Sequence, residues 1–178
     1  MDAIKQYWIR CKDDGHKFEV LSDIYGMISL GQVIVFVNRK ATADTLVGKL
    51  VAEGHAVGVL HSDMLPSKRE LAINTFREGK TKVLVSTNVL SRGVDIAQVN
   101  CVINFDLPVT RSREADPETY LHRIGRTGRF GRKGISINFV DGEQSMRVMR
   151  AIEGHFSRAI NEIQSDDVEQ IEKLLKTR

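Results

Sequence analysis

The sequence is poor in cysteine and in aromatic residues: two cysteines and one tryptophan in 178 residues, with Phe, Trp and Tyr together at 6%. Cys11 and Cys101 stand far apart in apolar, strand-like runs, which excludes a CxxC motif and a cysteine metal box and leaves a buried thiol in a reducing compartment. No apolar run reaches membrane-spanning length, and the first residues lack a secretory signal pattern, so the expectation is a soluble intracellular protein with no membrane partner. Neither charge sign dominates: 26 Lys and Arg against 23 Asp and Glu give a net charge of +3, too small by itself to demand a nucleic-acid partner. Internal repeats and low-complexity tracts are absent. So is a GxxxxGK phosphate loop, which excludes a self-contained nucleotide site of that kind.

What is present is an ordinary globular composition, 42% hydrophobic and 28% charged, in a length that suffices for one domain. Short β-rich apolar runs at 6–10, 33–37, 56–60, 82–86, 101–104 and 134–139 alternate with amphipathic stretches at 17–30, 42–53 and 67–78. Val33-Ile34-Val35-Phe36-Val37 is apolar at every position, so both faces of that strand need cover. Leu46, Leu50 and Val51 in one helix, and Leu71, Ile73 and Phe76 in the next, supply core-facing stripes. Gly31, Gly54 and Gly79 fall where helices should stop, and Asp116-Pro117-Glu118 reads as an N-cap followed by a first-turn proline. Two further helices are expected at 143–156 and 166–176, the last packing on the outside. This alternation predicts an α/β fold: a doubly wound parallel sheet with helices on both faces and a binding crevice at the carboxyl ends of its strands.

The basic charge is concentrated. Residues 122–133 carry five bases, Arg123, Arg126, Arg129, Arg132 and Lys133, and no acid, whereas 162–178 holds five acids against three bases. Planar guanidinium groups suit phosphate oxygens, and the intervening glycines permit tight turns and close approach. A solvated basic loop is the plainer reading of that segment alone. The strand ends add weight: Asn38-Arg39-Lys40, His61-Ser62-Asp63, Thr87-Asn88 and Ser91-Arg92-Gly93-Val94-Asp95 all follow predicted strands. Hydroxyl and basic groups on one rim suit a phosphate backbone, whereas Asp95 would repel phosphate but can accept from a ribose hydroxyl. Together these point to a nucleotide or nucleic-acid site. Tyr7 and Trp8 offer stacking surfaces, but their place in a strand favours packing.

The segments 86–95, then Val102-Ile103-Asn104-Phe105-Asp106-Leu107-Pro108, then Tyr120-Leu121-His122-Arg123-Ile124-Gly125-Arg126-Thr127-Gly128-Arg129, resemble the consecutive C-terminal motifs of DEAD-box RNA helicases. Residues 33–39 and 61–69 resemble the earlier motifs of the same domain, so the likeness runs across essentially the whole chain. It implies a RecA-like domain over 1–160, with 161–178 as a helical extension of it, and it looks most similar to the mRNA-export members, given the inserted segment 109–119 and the ending at 166–173.

The resemblance implies roles. Arg126 and Arg129 would be catalytic arginine fingers on ATP, Asp95 would contact its ribose with Gly93 allowing close approach, and His122 and Arg92 would couple the two domains. RNA would be held through its backbone, with little sequence preference, by Arg39, Arg69, Thr87 and Gly93. The family usually has threonine in place of Arg39, and often glutamine in place of Pro66, which weakens the RNA assignment nearby. ATP and magnesium would be held mainly by an N-terminal RecA-like domain, since this chain has no Asp-Glu-Ala-Asp run, and no metal site is assigned here. The implied whole is a monomeric RNA-stimulated ATPase, cytoplasmic and nuclear and associated with nuclear pores, whose partners include an activator protein with an inositol polyphosphate. An adaptor that keeps the fold without catalysis, and a DNA-directed relative, stay as alternatives.

Overall fold

A computed structural model describes residues 3–27, 31–88, 99–128 and 133–176. In chain order the elements are β1 (Ile4–Arg10), α1 (Asp14–Met27), β2 (Gln32–Phe36), α2 (Lys40–Ala52), β3 (Val57–Leu60), α3 (Pro66–Arg77), β4 (Val83–Ser86), β5 (Val99–Asn104), α4 (Pro117–Ile124), β6 (Gly134–Val140), α5 (Glu143–Phe156), β7 (Asn161–Glu162) and α6 (Val168–Lys176). The strands form one seven-stranded sheet in the order β3-β4-β2-β5-β6-β1-β7, and every pairing is parallel.

The strand β2, apolar from Val33 to Phe36, lies near the centre, where both faces are covered. Val33 and Val35 point to one side and join a core built with Val20, Leu21 and Ile24 of α1, Leu46 and Leu50 of α2 and Ile171 of α6. Ile34 and Phe36 point to the other and pack with Phe76 of α3, Tyr120 and Ile124 of α4 and Met149 and Ile152 of α5. The two-residue period of a strand thus sorts one run of side chains into two cores. Each fully buried aliphatic contributes about 1.5–3 kcal/mol.

The sequence-derived elements match to within a few residues, but not every expected core residue is inside. Val51 and Leu71 are exposed. Each sits well off the buried stripe of its helix, which runs through Leu46 and Leu50 in α2 and through Phe76 in α3. Gly31, Gly54 and Gly79 all have positive φ, 102°, 89° and 77°, the backbone state that ends a helix. Trp8 is buried beneath Arg10 and Arg150, with guanidinium carbons 5.4 and 5.8 Å from its ring. Both cysteines are buried free thiols. The strand β7 has no counterpart in the sequence reading, since two exposed residues carry no period; it lies beside β1, and the following Ile163 and Ile171 enter the core.

Candidate functional site

The strand order sets a switch point. After β2 the chain turns toward β4 and β3, and after β5 it turns toward β6 and β1, so the crevice that doubly wound sheets use opens between the ends of β2 and β5. Asn38 and Arg39 leave β2 there, and Phe105 and Asp106 leave β5. Arg39 is exposed at the start of α2, with no side-chain partner among the described residues. Thr87 follows β4, half-buried, with its N–H on Leu60 O at 3.1 Å. Arg69 lies near the start of α3, and its Nε is buried with no acceptor among the described residues. These three follow adjacent strands, in line with the expected rim. Lys40 is hydrogen-bonded to Asp63, which ties the loop after β2 to the loop after β3.

Helix α4 carries the arginine-rich motif. Asp116 caps it, accepting from Thr119 N at 3.1 Å and Thr119 Oγ1 at 2.9 Å, with Pro117 in the first turn. Tyr120, Arg123 and Ile124 face inward, while Leu121 is exposed and His122 half-buried. Arg123 is fully buried. Its Nε donates to Asn88 Oδ1 at 2.9 Å, Nη1 to Asn104 Oδ1 at 3.1 Å and Asp106 O at 2.7 Å, and Nη2 to Asn38 Oδ1 at 2.8 Å. Its guanidinium carbon stands 5.2 Å from the Phe36 ring centroid. Burial pulls its pKa down to about 9, against the upward pull of Asp106 and Asp116, so it stays charged at neutral pH. One planar fork therefore joins the ends of β2, β4 and β5 to the arginine helix. The polar chain continues inward: Asn104 Nδ2 donates to Asn138 Oδ1 at 2.8 Å, Asn138 Nδ2 to Tyr120 OH at 3.2 Å, and Tyr120 OH to Gln6 Oε1 at 2.6 Å.

The arginine turn itself departs from the rim rule. Because α4 runs back along the sheet, residues 125–128 lie at the amino ends of the strands. Thr127 Oγ1 donates to Val99 O at the start of β5 at 2.8 Å, and Gly134 N to Ala3 O at 2.8 Å. Gly128 has φ 70°, and a Cβ there would sit 2.7 Å from Ile4 Cγ1; a Cβ on Gly134 would sit 2.4 Å from Gly128 N. The glycines let the turn press against β1, which holds Arg126, half-buried, on a packed base. Arg92, Gly93, Asp95 and Arg129 lie outside the described residues.

A second charged cluster borders the crevice. Lys17, buried in α1, is 3.4 Å from Asp14 Oδ1, 3.4 Å from Asp106 Oδ1 and 3.3 Å from Asp141 Oδ2. Burial alone would lower its pKa; Asp106, Asp141 and Asp14 together hold it above the ordinary value. Lys17, Arg39 and Asp106 line the same cavity of about 390 Å³. The sequence reading named neither Lys17 nor Arg123 as a site residue. Arg123 left a trace, since it falls on the inward stripe with Tyr120 and Ile124; Lys17 left none, because two of its three partners come from distant strand ends. Among the described residues no group of His, Cys, Asp and Glu is placed to hold a metal.

Residues 16–131 match the family of the helicase conserved C-terminal domain. The ATP-dependent RNA helicase DBP5 of Mycosarcoma maydis is 49% identical over 176 residues, 99% of this chain and 39% of the relative, so the chain spans about two fifths of the protein it matches. Yeast Dbp5 bound to RNA and ADP BeF3 superposes with TM-score 0.95 at 47% identity, over 99% of this chain and 45% of that one. The C-terminal domain of Dbp5, solved as a separate structure, superposes at 0.88 with 48% identity and 98% coverage of both chains. A variant of yeast Dbp5 bound to Nup159, Gle1, IP6 and ADP superposes at 0.87 with 45% identity, over 98% of this chain and 45% of that one. A packed arginine turn, a parallel RecA-like sheet and a match over nearly every residue agree: the chain belongs to the helicase conserved C-terminal domain family, beside the C-terminal domain of the DEAD-box protein Dbp5.

Proposed function

We propose that this chain is the C-terminal motor domain of an ATP-dependent RNA helicase that works in mRNA export or in remodelling mRNA–protein complexes. The observation that carries the proposal is the near-complete superposition on a relative in its RNA-bound, nucleotide-bound form. Arg126 and Arg129 act as arginine fingers, which stabilise charge on the transferred phosphoryl and typically contribute on the order of a thousandfold or more in rate. Arg126 fits that task, since it projects from a turn packed on β1 and β5. Asp95 meets the ribose, with Gly93 allowing close approach, and His122 and Arg92 couple the two domains. Arg39, Arg69, Thr87 and Gly93 hold RNA by its backbone, and the exposed guanidinium of Arg39 and the unpartnered Nε of Arg69 support that reading.

ATP, when bound, supplies the phosphoryl group, and its magnesium is assigned to the N-terminal domain. Without a phosphate loop this chain by itself turns over no ATP. Residues 1–160 form the domain and 161–178 extend it, supported by the seat of β7 beside β1. The working protein is a monomer. Its partners are RNA, its own N-terminal domain and an activator used with an inositol polyphosphate, and it acts in cytoplasm and nucleus at nuclear pores; the Gle1, IP6 and Nup159 complex of the yeast relative supports both points. Among the described residues no helix is long and apolar enough to cross a membrane.

The test is RNA-stimulated ATP hydrolysis by this chain, by an N-terminal RecA-like domain, and by the two joined, with Arg129→Ala as control. Activity confined to the joined protein and lost with Arg129 is expected. Joined protein that binds RNA but hydrolyses no ATP would overturn the enzyme reading and favour an adaptor.

A further inference from the structure

We propose that Lys17, which lies outside every motif of the family likeness, is a positioning residue that holds the loop at Asn38 and Arg39 in its RNA-binding shape by way of Asp106. The inference rests on the RNA role given above to Arg39. Asp106 is the joint. One carboxylate oxygen faces Lys17 Nζ at 3.4 Å, the other accepts the Asn38 N–H at 3.0 Å, and its backbone carbonyl accepts from Arg123 Nη1 at 2.7 Å. Asn38 is tied a second time through its Nδ2 to Leu107 O at 2.9 Å. Arg39 is the next residue.

The charge count explains why the lysine matters. Three carboxylates, those of Asp14, Asp106 and Asp141, converge on a single ammonium. Each lies so near Nζ that no two of the oxygens are more than about 7 Å apart, a range in which like charges disfavour one another strongly. Asp141 is also held by Ser145 Oγ at 3.0 Å, so it cannot turn away freely. Asp14, 72% exposed, can swing into water when the ammonium is removed, but Asp106, 23% exposed, is left opposed to the tethered Asp141, and it relieves that repulsion by rotating away. That rotation withdraws the acceptor from Asn38 N–H. Lys17 also stands 5.1 Å from the Phe105 ring centroid, which with the helix α1 around it fixes the ammonium in place. Arg39 has no side-chain partner among the described residues, so the course of its backbone determines where its guanidinium stands.

The experiment has two arms. In this chain alone, which matches a relative's domain solved by itself, hydrogen exchange of the Asn38 amide is compared between the native protein, Lys17→Met, Lys17→Arg and the double variant Lys17→Met with Asp141→Asn. In the joined two-domain protein, the Kd for a ten-nucleotide RNA is measured for the same variants and for Arg39→Ala. Lys17→Met is expected to lose Asn38 protection at least tenfold and to weaken RNA about as much as Arg39→Ala does. Lys17→Arg and the double variant should recover most of both, since each relieves the unbalanced charge. Unchanged Asn38 exchange in Lys17→Met overturns the proposal. So does weaker RNA binding in Arg39→Ala that Lys17→Met fails to share. If Arg39→Ala itself binds RNA normally, it is the RNA reading of the loop that has failed, and the proposal falls with it. A loss in Lys17→Met that neither rescue reverses marks a packing defect and refutes the positioning role.

Discussion

Replacing Arg123 with methionine keeps most of the side-chain volume and removes every donor. Four acceptors lose their partner: Asn38 Oδ1, Asn88 Oδ1, Asn104 Oδ1 and the Asp106 carbonyl. A hydrogen bond from a charged donor contributes about 1.5–3 kcal/mol, so the four amount to roughly 6–12 kcal/mol before costs. Against this stands the desolvation of a fully buried guanidinium, several kcal/mol, the same effect that pulls its pKa down to about 9. The residues Asn38 and Asn88 reach water and can rehydrate, whereas Asn104 is sealed in. The net expectation is a loss of about 3–5 kcal/mol, the size seen when one member of a buried charged network is removed. That corresponds to a fall in Tm of roughly 10 °C for a domain of this length. The assay is guanidinium chloride unfolding, where the midpoint should fall at constant slope. Arg123→Lys keeps the charge but not the fork, and should lose about 1–3 kcal/mol. A loss below about 1 kcal/mol for Arg123→Met would refute the reasoning, because water would then serve the strand ends as well as the arginine does.

Three further outcomes follow from the geometry. Glu153 accepts from Ile160 N at 2.7 Å and Arg150 Nη1 at 3.0 Å, and chiefly the Ile160 bond holds its pKa below the ordinary 4.5. Its contribution is therefore present above that value and is lost as pH falls through the depressed one; Glu153→Gln should cost about 1 kcal/mol at pH 7, with the gap closing toward pH 3, and a pH-independent gap counts against it. Gly128→Ala forces a left-handed residue against Ile4 and should destabilise by about 1–2 kcal/mol in urea, a value near zero being the contrary result. Burial pushes both thiols up to about 12, so Cys11 and Cys101 should resist an aromatic disulfide reagent at pH 8 and react only in denaturant; rapid native reaction would show the thiols to be accessible.

Much of the fold was legible because it is written in local periods. Val33 to Val37 announce a strand covered on both faces, the glycines at 31, 54 and 79 mark helix ends, and Asp116-Pro117 marks a helix start, all decided within a few residues. Strand order was not legible, since it depends on which apolar faces meet across the whole chain. The arginine turn, which precedes the last predicted strand, accordingly lies at the amino ends of the strands, but which strands it would meet there could not be read. Arg123 was hidden among its neighbours: five bases in twelve residues look alike in sequence, and only packing shows that this one is fully buried. Lys17 was hidden for the opposite reason, as a lysine early in an ordinary helix whose three carboxylates include two from strand ends far along the chain.

The seat of β1 has a consequence for how the chain is made. This first strand lies between β6 and β7, and its residue Ile4 pairs with Gly134. The strands β2, β3, β4 and β5 can assemble as residues 32–104 emerge from the ribosome, but the slot for β1 does not exist until β6 has been synthesised. At about 5–20 residues per second the amino-terminal strand waits on the order of ten seconds, with Trp8 and Ile9 uncovered and its backbone unpaired. In a growing chain that strand is the one left unpaired longest, and it is there, rather than at the arginine turn, that a chaperone would find its work.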